Sequence, residues 1–385
     1  MKYNLRLTYS AMPIMIAYSA AMAILPVVLS SLISEFSLNG GEKGLMSSFI
    51  SLGAFTALAG STYLQGRVRK PLVITLSCIT GSIILLVMGI SRNFTLILPC
   101  FFLLGFFMSG LLDAFINSYV VDLNPGNSGP HVSVLHAWYG AGGLIAPVIF
   151  QQTAMRGGRQ AVFLLAAAFL FLLMLPFTIT GMKAGREPAP AAKMDSKLNL
   201  KAIGEFFSGK RNLLLLACMF FYSATQNTHV LWIILYMITL HNNPGYGAIA
   251  LSGFWVCCTL CRFFAPRLPG RPILKFTLGM FPSAVFLAIG LISGSPFVMI
   301  AASCLFGLLG GHSIPTLINE CARHYQGATT FPSSIMLLSV HTAGMVMPVF
   351  MGVMAGHFSL QNAIIILPVM ALVASFFGLM YLLRA

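Results

Sequence analysis

Two residues in the stretch Gly110 to Leu123, GLLDAFINSYVVDL, are suited to proton chemistry. Asp113 is one of only 8 acidic residues among 385, and Asn117 follows it one helical turn later. A carboxylate in apolar surroundings is costly and usually faces a polar cavity or marks a proton or ion path. Burial favours its neutral form, so Asp113 is expected to take up and release a proton. The alternative is a permanently neutral acid that only bonds neighbouring helices.

A second group of polar residues is suited to binding a hydroxyl-rich solute. Tyr222, Gln226 and His229 have the spacing i, i+4, i+7 and share one face of an otherwise apolar helix. Amides both donate and accept hydrogen bonds, and aromatic faces stack on the C–H surfaces of sugars. The full set of predicted binding residues is Tyr18, Asn117, His136, Tyr139, Tyr222, Gln226, Asn227, His229, Trp232, His312, Asn319 and His341. The alternative is that these polar side chains only tie helices together.

The remaining acids inside or near apolar stretches are predicted to form structural ion pairs. Asp122 lies within reach of the basic run that includes Arg69, and Glu320 is expected to pair with Arg262. The alternative for Arg262 is a contact with an anionic substrate, for which a guanidinium group is well suited.

The elements that carry these residues are membrane-spanning helices. Hydrophobic residues make up 58% of the chain and charged residues 8%, whereas soluble domains are about one quarter charged. The sequence divides into twelve apolar stretches of the length that a bilayer requires, separated by polar, Gly or Pro punctuation. We therefore predict an all-α integral membrane protein with twelve spans.

The distribution of Lys and Arg predicts the orientation. Most of them, including the long central segment, fall on one face together with both ends of the chain. By the positive-inside rule the N- and C-termini are cytoplasmic, in a multi-pass plasma or inner membrane. The net charge of +14 then reflects topology and anionic lipid rather than nucleic-acid binding.

Other function classes lack their motifs. Cys257, Cys258 and Cys261 have no second Cys/His group at matching spacing, so no metal site is predicted. No carboxylate pair for acid–base work, no metal-binding His spacing and no Walker-type loop occurs in the sequence. We predict neither an enzyme nor an ATP-driven pump, and no cofactor.

The two halves of the chain repeat each other. Asn117 and Asn319, Pro147 and Pro348, and Tyr18 and Tyr222 recur at nearly the same offset in corresponding spans. The predicted organisation is residues 1–182 as an N-terminal six-helix bundle, 183–211 as a cytoplasmic linker and 212–385 as a C-terminal six-helix bundle.

These features resemble the major facilitator superfamily. LQGRVRKP after the second span is similar to that family's loop signature, with Gln65 in place of an acid, and CRFFAPRLPGRP resembles its second copy. Within the superfamily, GFFMSGLLDAFIN, LHAWYGAGGLIAP and YSATQNTHVLW resemble the fucose/galactose/glucose-type proton symporters, with Gln226 where they usually carry a Glu.

The resemblance implies alternating access around a site at the midplane. The identity of the substrate does not follow from the resemblance. Our leading hypothesis is a monomer that imports a small polar solute, a sugar or polyol, together with H⁺ across the lipid bilayer. The alternative is a proton-coupled exporter of a drug-like compound or metabolite. A narrow polar cavity would favour import and a wide apolar one export.

Overall fold

The structure of the chain is a computed structural model, and it describes residues 2–64, 67–124, 128–183, 200–267, 269–323 and 330–384. All regular secondary structure in these ranges is helical. Gln65 and most of the predicted linker lie outside the described residues.

Helices of the first half follow one another through short turns. They are α1 (Lys2–Met22), α2 (Ile24–Phe36), α3 (Gly40–Leu64), α4 (Lys70–Ile90), α5 (Phe94–Leu104), a π-helix (Gly105–Leu112), α6 (Asp113–Leu123) and α7 (Ser128–Lys183). Within α7, Gly158 has φ 67° and ψ −174°, so two helices meet there. Glycine adopts this backbone conformation without the steric cost that a Cβ would add.

The second half continues with nine helices and one 3₁₀ turn. They are α8 (Leu200–Ser208), α9 (Lys210–His241), α10 (Pro244–Phe264), a 3₁₀ turn (Ala265–Arg267), α11 (Pro272–Ser293), α12 (Pro296–Gly310), α13 (Ser313–Ala322), α14 (Thr330–Phe358), α15 (Leu360–Ala363) and α16 (Ile366–Arg384), counting the turn separately from the helices.

The prediction of an all-α membrane protein with twelve spans is confirmed. In the described residues, 10 helical segments are long and apolar enough to cross a bilayer, and one of them, His131–Gly181, contains two spans joined at Gly158. The 32-residue α9 completes the set, since its hydropathy is lowered by its polar face while it packs against α10, α14 and α16.

The chain forms two compact units. The first comprises residues 1–37 and 49–196, and the second comprises residues 38–48 and 197–385. Residues 38–48 join the second unit because Gly40 and Gly44 lie against the backbone of α14, where a Cβ on Gly44 would overlap the carbonyl of Pro348. The Ser48 hydroxyl also donates to the Met345 carbonyl at 2.6 Å.

Small residues bring two helices of the first unit into backbone contact. A Cβ on Gly53 of α3 would overlap the Phe102 carbonyl, and one on Gly105 would overlap the Ile50 carbonyl. Gly110 lies equally close to Ala57. Close approach through small residues is a common way of packing helices in membranes, and here it fixes the π-helix that precedes Asp113.

Candidate functional site

The candidate site of the first unit is centred on Asp113, the first residue of α6. Asn117 donates its side-chain amide to the Asp113 carboxylate at 3.0 Å and to the Asp113 main-chain carbonyl at 2.8 Å. Both side chains keep partial accessibility although they lie within a membrane-spanning segment. No ion pair of Asp113 occurs among the described residues. The hydrogen bond to its carboxylate therefore comes from a neutral amide.

One tyrosine from another span lies near this carboxylate, and a second tyrosine packs on the first. Tyr18 of α1 is buried and lies within electrostatic range of Asp113. Its ring meets that of Tyr139 edge-on, with the centroids 5.0 Å apart. Gly142, one turn after Tyr139, lets α7 approach α1 so closely that a Cβ there would overlap the Ile16 carbonyl. The predicted residues Tyr18, Asp113 and Tyr139 are therefore brought together.

The π-helix sets the direction in which Asp113 points. Gly105–Leu112 forms eight residues of π-helix directly before the acid. The π-helix is rare and is frequently found at functional sites. Because it turns less per residue than an α-helix, it rotates Asp113 and Asn117 away from the face that a regular helix would give them.

In the second unit, the predicted polar face of α9 lies inside the bundle. Tyr222, His229 and Trp232 are fully buried, and Gln226 is 9% exposed. The His229 ring lies 5.2 Å from Phe254 of α10 and 5.6 Å from Phe306 of α12. Tyr222 packs against the same Phe306. Aromatic neighbours thus surround a face that carries hydroxyl, amide, indole and imidazole groups.

Several of these buried groups have no hydrogen-bond partner among the described residues. They are the Tyr222 hydroxyl, the Gln226 side-chain oxygen, both His229 ring nitrogens and the Trp232 indole nitrogen. Leaving a buried donor or acceptor unpaired costs about 1–3 kcal/mol. Such a concentration on one helix favours a polar solute or water as the missing partner.

The other predicted binding residues are more scattered. His136 and Asn227 are half-buried, on α7 and α9, and His341 is half-buried on α14. His312 is buried beside Cys261, with Nδ1 and Sγ 3.4 Å apart. Asn319 is exposed on α13.

Asp122 has the ion pair expected of it, since its carboxylate pairs with Lys70, the neighbour of the predicted Arg69, at the start of α4. Arg69 itself is exposed at the N-cap of that helix.

The expected pair between Arg262 and Glu320 is replaced by other contacts. Glu320 accepts the Tyr381 hydroxyl at 3.1 Å and lies 3.6 Å from Arg323. Arg262 instead donates Nε–H to the Gly311 carbonyl at 3.1 Å. Pro315 has no N–H with which to bond the carbonyl four residues before it, so Gly311 needs another donor. The Cys258 thiol also donates to this carbonyl, with Sγ and O 3.8 Å apart.

A further ion pair in the first unit, not predicted from the sequence, joins buried Arg159 to exposed Glu35. Arg159 is 3% exposed and binds both carboxylate oxygens of Glu35, with one Nη2 distance of 2.6 Å. It also donates to the Met88 carbonyl at 3.0 Å and to the Ser91 carbonyl at 2.8 Å. Phe36 lies under the guanidinium group, 5.4 Å from the ring centroid. The available signal was Glu35, an acid at the end of an apolar stretch.

The described residues contain no group of three or more His, Cys, Asp or Glu side chains that could hold a metal ion. The Cys261–His312 contact involves one sulfur and one ring nitrogen only. Nothing in this geometry assigns a metal to the cluster of cysteines on α10.

Comparison with known proteins identifies relatives of the same fold. The family profile described as Major Facilitator Superfamily matches residues 11–330. No curated protein matches the chain in sequence.

Solved structures of transporters match over nearly the whole chain. The nucleoside transporter NupG has a TM-score of 0.79 at 14% identity, covering 99% of both chains. A bacterial homologue of the human lysosomal transporter Spinster, inward-facing and unoccupied, has a TM-score of 0.75 at 17% identity, covering 98% of this chain and 97% of that one. A POT family transporter in complex with 5-aminolevulinic acid has a TM-score of 0.76 at 14% identity, covering 99% and 96%.

At these identities the likeness shows the fold, while the family match spans most of the sequence. Together with the twelve spans in two halves and the intramembrane acid, these findings show that the chain belongs to the major facilitator superfamily of transporters.

Proposed function

We propose that this transporter is a proton-coupled symporter that imports a small polar solute, a sugar or polyol. The observation that carries the proposal is Asp113, an acid within a span whose polar neighbours are the neutral side chains of Asn117 and Tyr18, with Tyr139 packed on Tyr18. An acid held by a neutral amide is able to lose and regain its proton without breaking an ion pair.

Coupling follows from the two protonation states. Neutral Asp113 donates one hydrogen bond and carries no charge, so the loaded site can cross the bilayer at low electrostatic cost. Ionised Asp113 accepts hydrogen bonds only, from Asn117 and from any donor on the solute. Release of the proton on the side of lower proton concentration then changes the affinity for the solute and drives accumulation.

The polar face of α9 supports a hydroxyl-rich solute. The unpaired groups of Tyr222, Gln226, His229 and Trp232 are neutral donors and acceptors, and they lie among aromatic rings. This mixture matches the alternating hydroxyls and C–H surfaces of a sugar. We extend the proposal to Asn117, His136, Asn227, His312, Asn319 and His341 as further contacts of the solute.

The test uses full-length protein reconstituted in liposomes under an imposed pH gradient. A panel of sugars, polyols, nucleosides and amphiphilic drugs is offered, and internal pH and solute uptake are measured together. Uptake of a sugar or polyol with parallel proton influx is the expected result. Solute movement opposite to the proton flux would contradict import and favour the exporter alternative.

Replacing Asp113 by Asn tests the coupling residue. We expect loss of gradient-driven accumulation while solute exchange persists, because the variant retains hydrogen bonding but has no exchangeable proton. Glu42→Gln is the matched control, since Glu42 only caps the start of α3 through Asn39. Unchanged accumulation in Asp113→Asn would overturn the assignment.

A further inference from the structure

The short helix α8 is fixed to the beginning of a membrane-spanning helix. Gly209 alone separates Ser208 from Lys210, and its extended backbone, with φ −78° and ψ 109°, prevents α8 and α9 from forming one continuous rod. Asn212 donates its side-chain amide to the Phe206 carbonyl at 3.0 Å and so closes the corner. Because α9 crosses the bilayer, α8 lies where that span meets the membrane surface.

The sequence of α8 is amphipathic. Leu200, Ile203, Phe206 and Phe207 are apolar and have the three- and four-residue spacing of one helix face. Phe206 is fully buried, whereas Phe207 is 48% exposed. The Phe206 ring thus packs α8 against the second unit. The Phe207 ring is exposed at the level of the membrane boundary. Helices of this composition lie in the plane of a bilayer interface.

Positive charge is concentrated at the corner between α8 and α9. Lys210 and Arg211 are exposed. Arg211 donates to the Arg384 carbonyl at 3.3 Å, which brings a further exposed cation to the same corner. The charge is complementary to the anionic headgroups that attract basic segments beside membrane spans.

We propose that α8 is a membrane-surface anchor that docks on anionic phospholipid, with Phe207 inserted at the interface and Lys210, Arg211 and Arg384 on the headgroup phosphates. The occupant is lipid because the exposed apolar ring and the cations meet at the point where α9 enters the bilayer. This role is independent of the transported solute and of Asp113.

The test places full-length Phe207→Trp protein in nanodiscs whose lipids carry bromine near the headgroup. In nanodiscs that include phosphatidylglycerol, we expect the tryptophan fluorescence of this variant to be quenched more than that of the unsubstituted protein. In purely zwitterionic lipid this additional quenching should be several-fold smaller. Ser208→Trp is the matched control, one residue away on the polar side, and it should add little quenching. Extra quenching that is the same in both lipids would overturn the anionic specificity.

The charge contribution is tested by Lys210→Gln with Arg384→Gln in the Phe207→Trp background. This pair should lose most of the phosphatidylglycerol-dependent quenching, whereas Arg92→Gln with Arg156→Gln, two exposed cations elsewhere in the chain, should keep it. Equal effects of the two pairs would contradict a local site.

Hydrogen–deuterium exchange of residues 200–208 in the unmodified protein gives a readout without substitution. Slower exchange in anionic nanodiscs is the expected result. An exchange rate that is the same in both lipids would show that this face of α8 contacts solvent. An exchange rate that falls only as the protein concentration rises would show that a second copy of the chain covers it. Either result would contradict the proposal.

Discussion

Asp113 and Arg159 illustrate how the surroundings of a buried charged residue separate function from structure. Arg159 has both oxygens of Glu35 and two main-chain carbonyls as partners, so its donors are used in fixed contacts. Asp113 has a neutral amide and a neutral phenol nearby. A charged side chain whose donors are all hydrogen-bonded, such as Arg159, holds helices in place. An acid with neutral partners, such as Asp113, is able to change its protonation state.

Replacing Arg159 by Leu should therefore destabilise the protein without a specific effect on coupling. The Glu35 side chain is 37% exposed, so water compensates for much of the lost ion pair. Two buried main-chain carbonyls, of Met88 and Ser91, also lose their donor, at about 1–3 kcal/mol each. Thermal unfolding in detergent can be followed with a thiol-reactive dye, since Cys78, Cys218 and Cys258 are buried in the folded protein.

The control for Arg159 is Arg156→Leu. Arg156 lies one turn earlier, is exposed and has no hydrogen bond or ion pair among the described residues. An equal fall in unfolding temperature for both variants would contradict the role of the Glu35 contact.

Among the helices, the fourth and tenth spans are irregular at equivalent places. The π-helix ends immediately before Asp113, and α12 and α13 are separated at Gly311 and His312, just before Pro315. Asp113 and Pro315 occupy matching positions in the internal repeat. Both halves therefore have an irregular helix at this point. In the first half it orients the Asp113 side chain, and in the second half it leaves the Gly311 carbonyl accessible to Arg262.

The contact between Arg262 and the Gly311 carbonyl predicts a coupled pair of substitutions. Arg262→Met should destabilise the protein by about 1–3 kcal/mol because it withdraws a donor from a helix carbonyl. Adding Pro315→Ala supplies a main-chain N–H four residues after Gly311, so the double variant should regain part of that loss. The measurement is a double-mutant cycle of unfolding midpoints, and additive effects would contradict the proline-dependent contact.

At the level of the whole chain, α3 belongs to both units. Residues 38–48 group with the second unit through Gly40, Gly44 and Ser48, while the remainder of α3 groups with the first. The predicted boundary between residues 182 and 212 follows the order of the sequence. The compact units divide the chain at another place, within α3. The first residues of α3 pack against α14 through their glycines and therefore belong to the second unit.

Gly44→Leu should disrupt this contact, because the new side chain would overlap the Pro348 backbone. Overpacking of this kind typically costs about 1–3 kcal/mol, and we expect lower thermal stability together with reduced transport in liposomes. Gly60→Leu is the control on the same helix, since a Cβ there would have nothing within 4 Å. Equal thermal stability and equal transport in the Gly44→Leu and Gly60→Leu variants would contradict a role for the Gly44 contact.

The features that depend on neighbours along the chain were predictable from the sequence. The spans follow from apolar length, and the contact between Asp113 and Asn117 follows from the i, i+4 spacing of a helix. The pairing of Asp122 with the basic run before α4 was also within reach, because both lie at adjacent span ends.

Contacts between distant residues were decided by the tertiary structure. Gly158 reverses the chain and buries Arg159 against Glu35, Arg262 donates to a main-chain carbonyl, and the polar face of α9 turns inward onto Phe254 and Phe306. Hydrophobic length and helical periodicity are local properties, so the sequence determined an all-helical membrane protein and an acid within it. Which groups satisfy each charge and each carbonyl depends on helices packed from far along the chain, and only the folded structure brings those partners together.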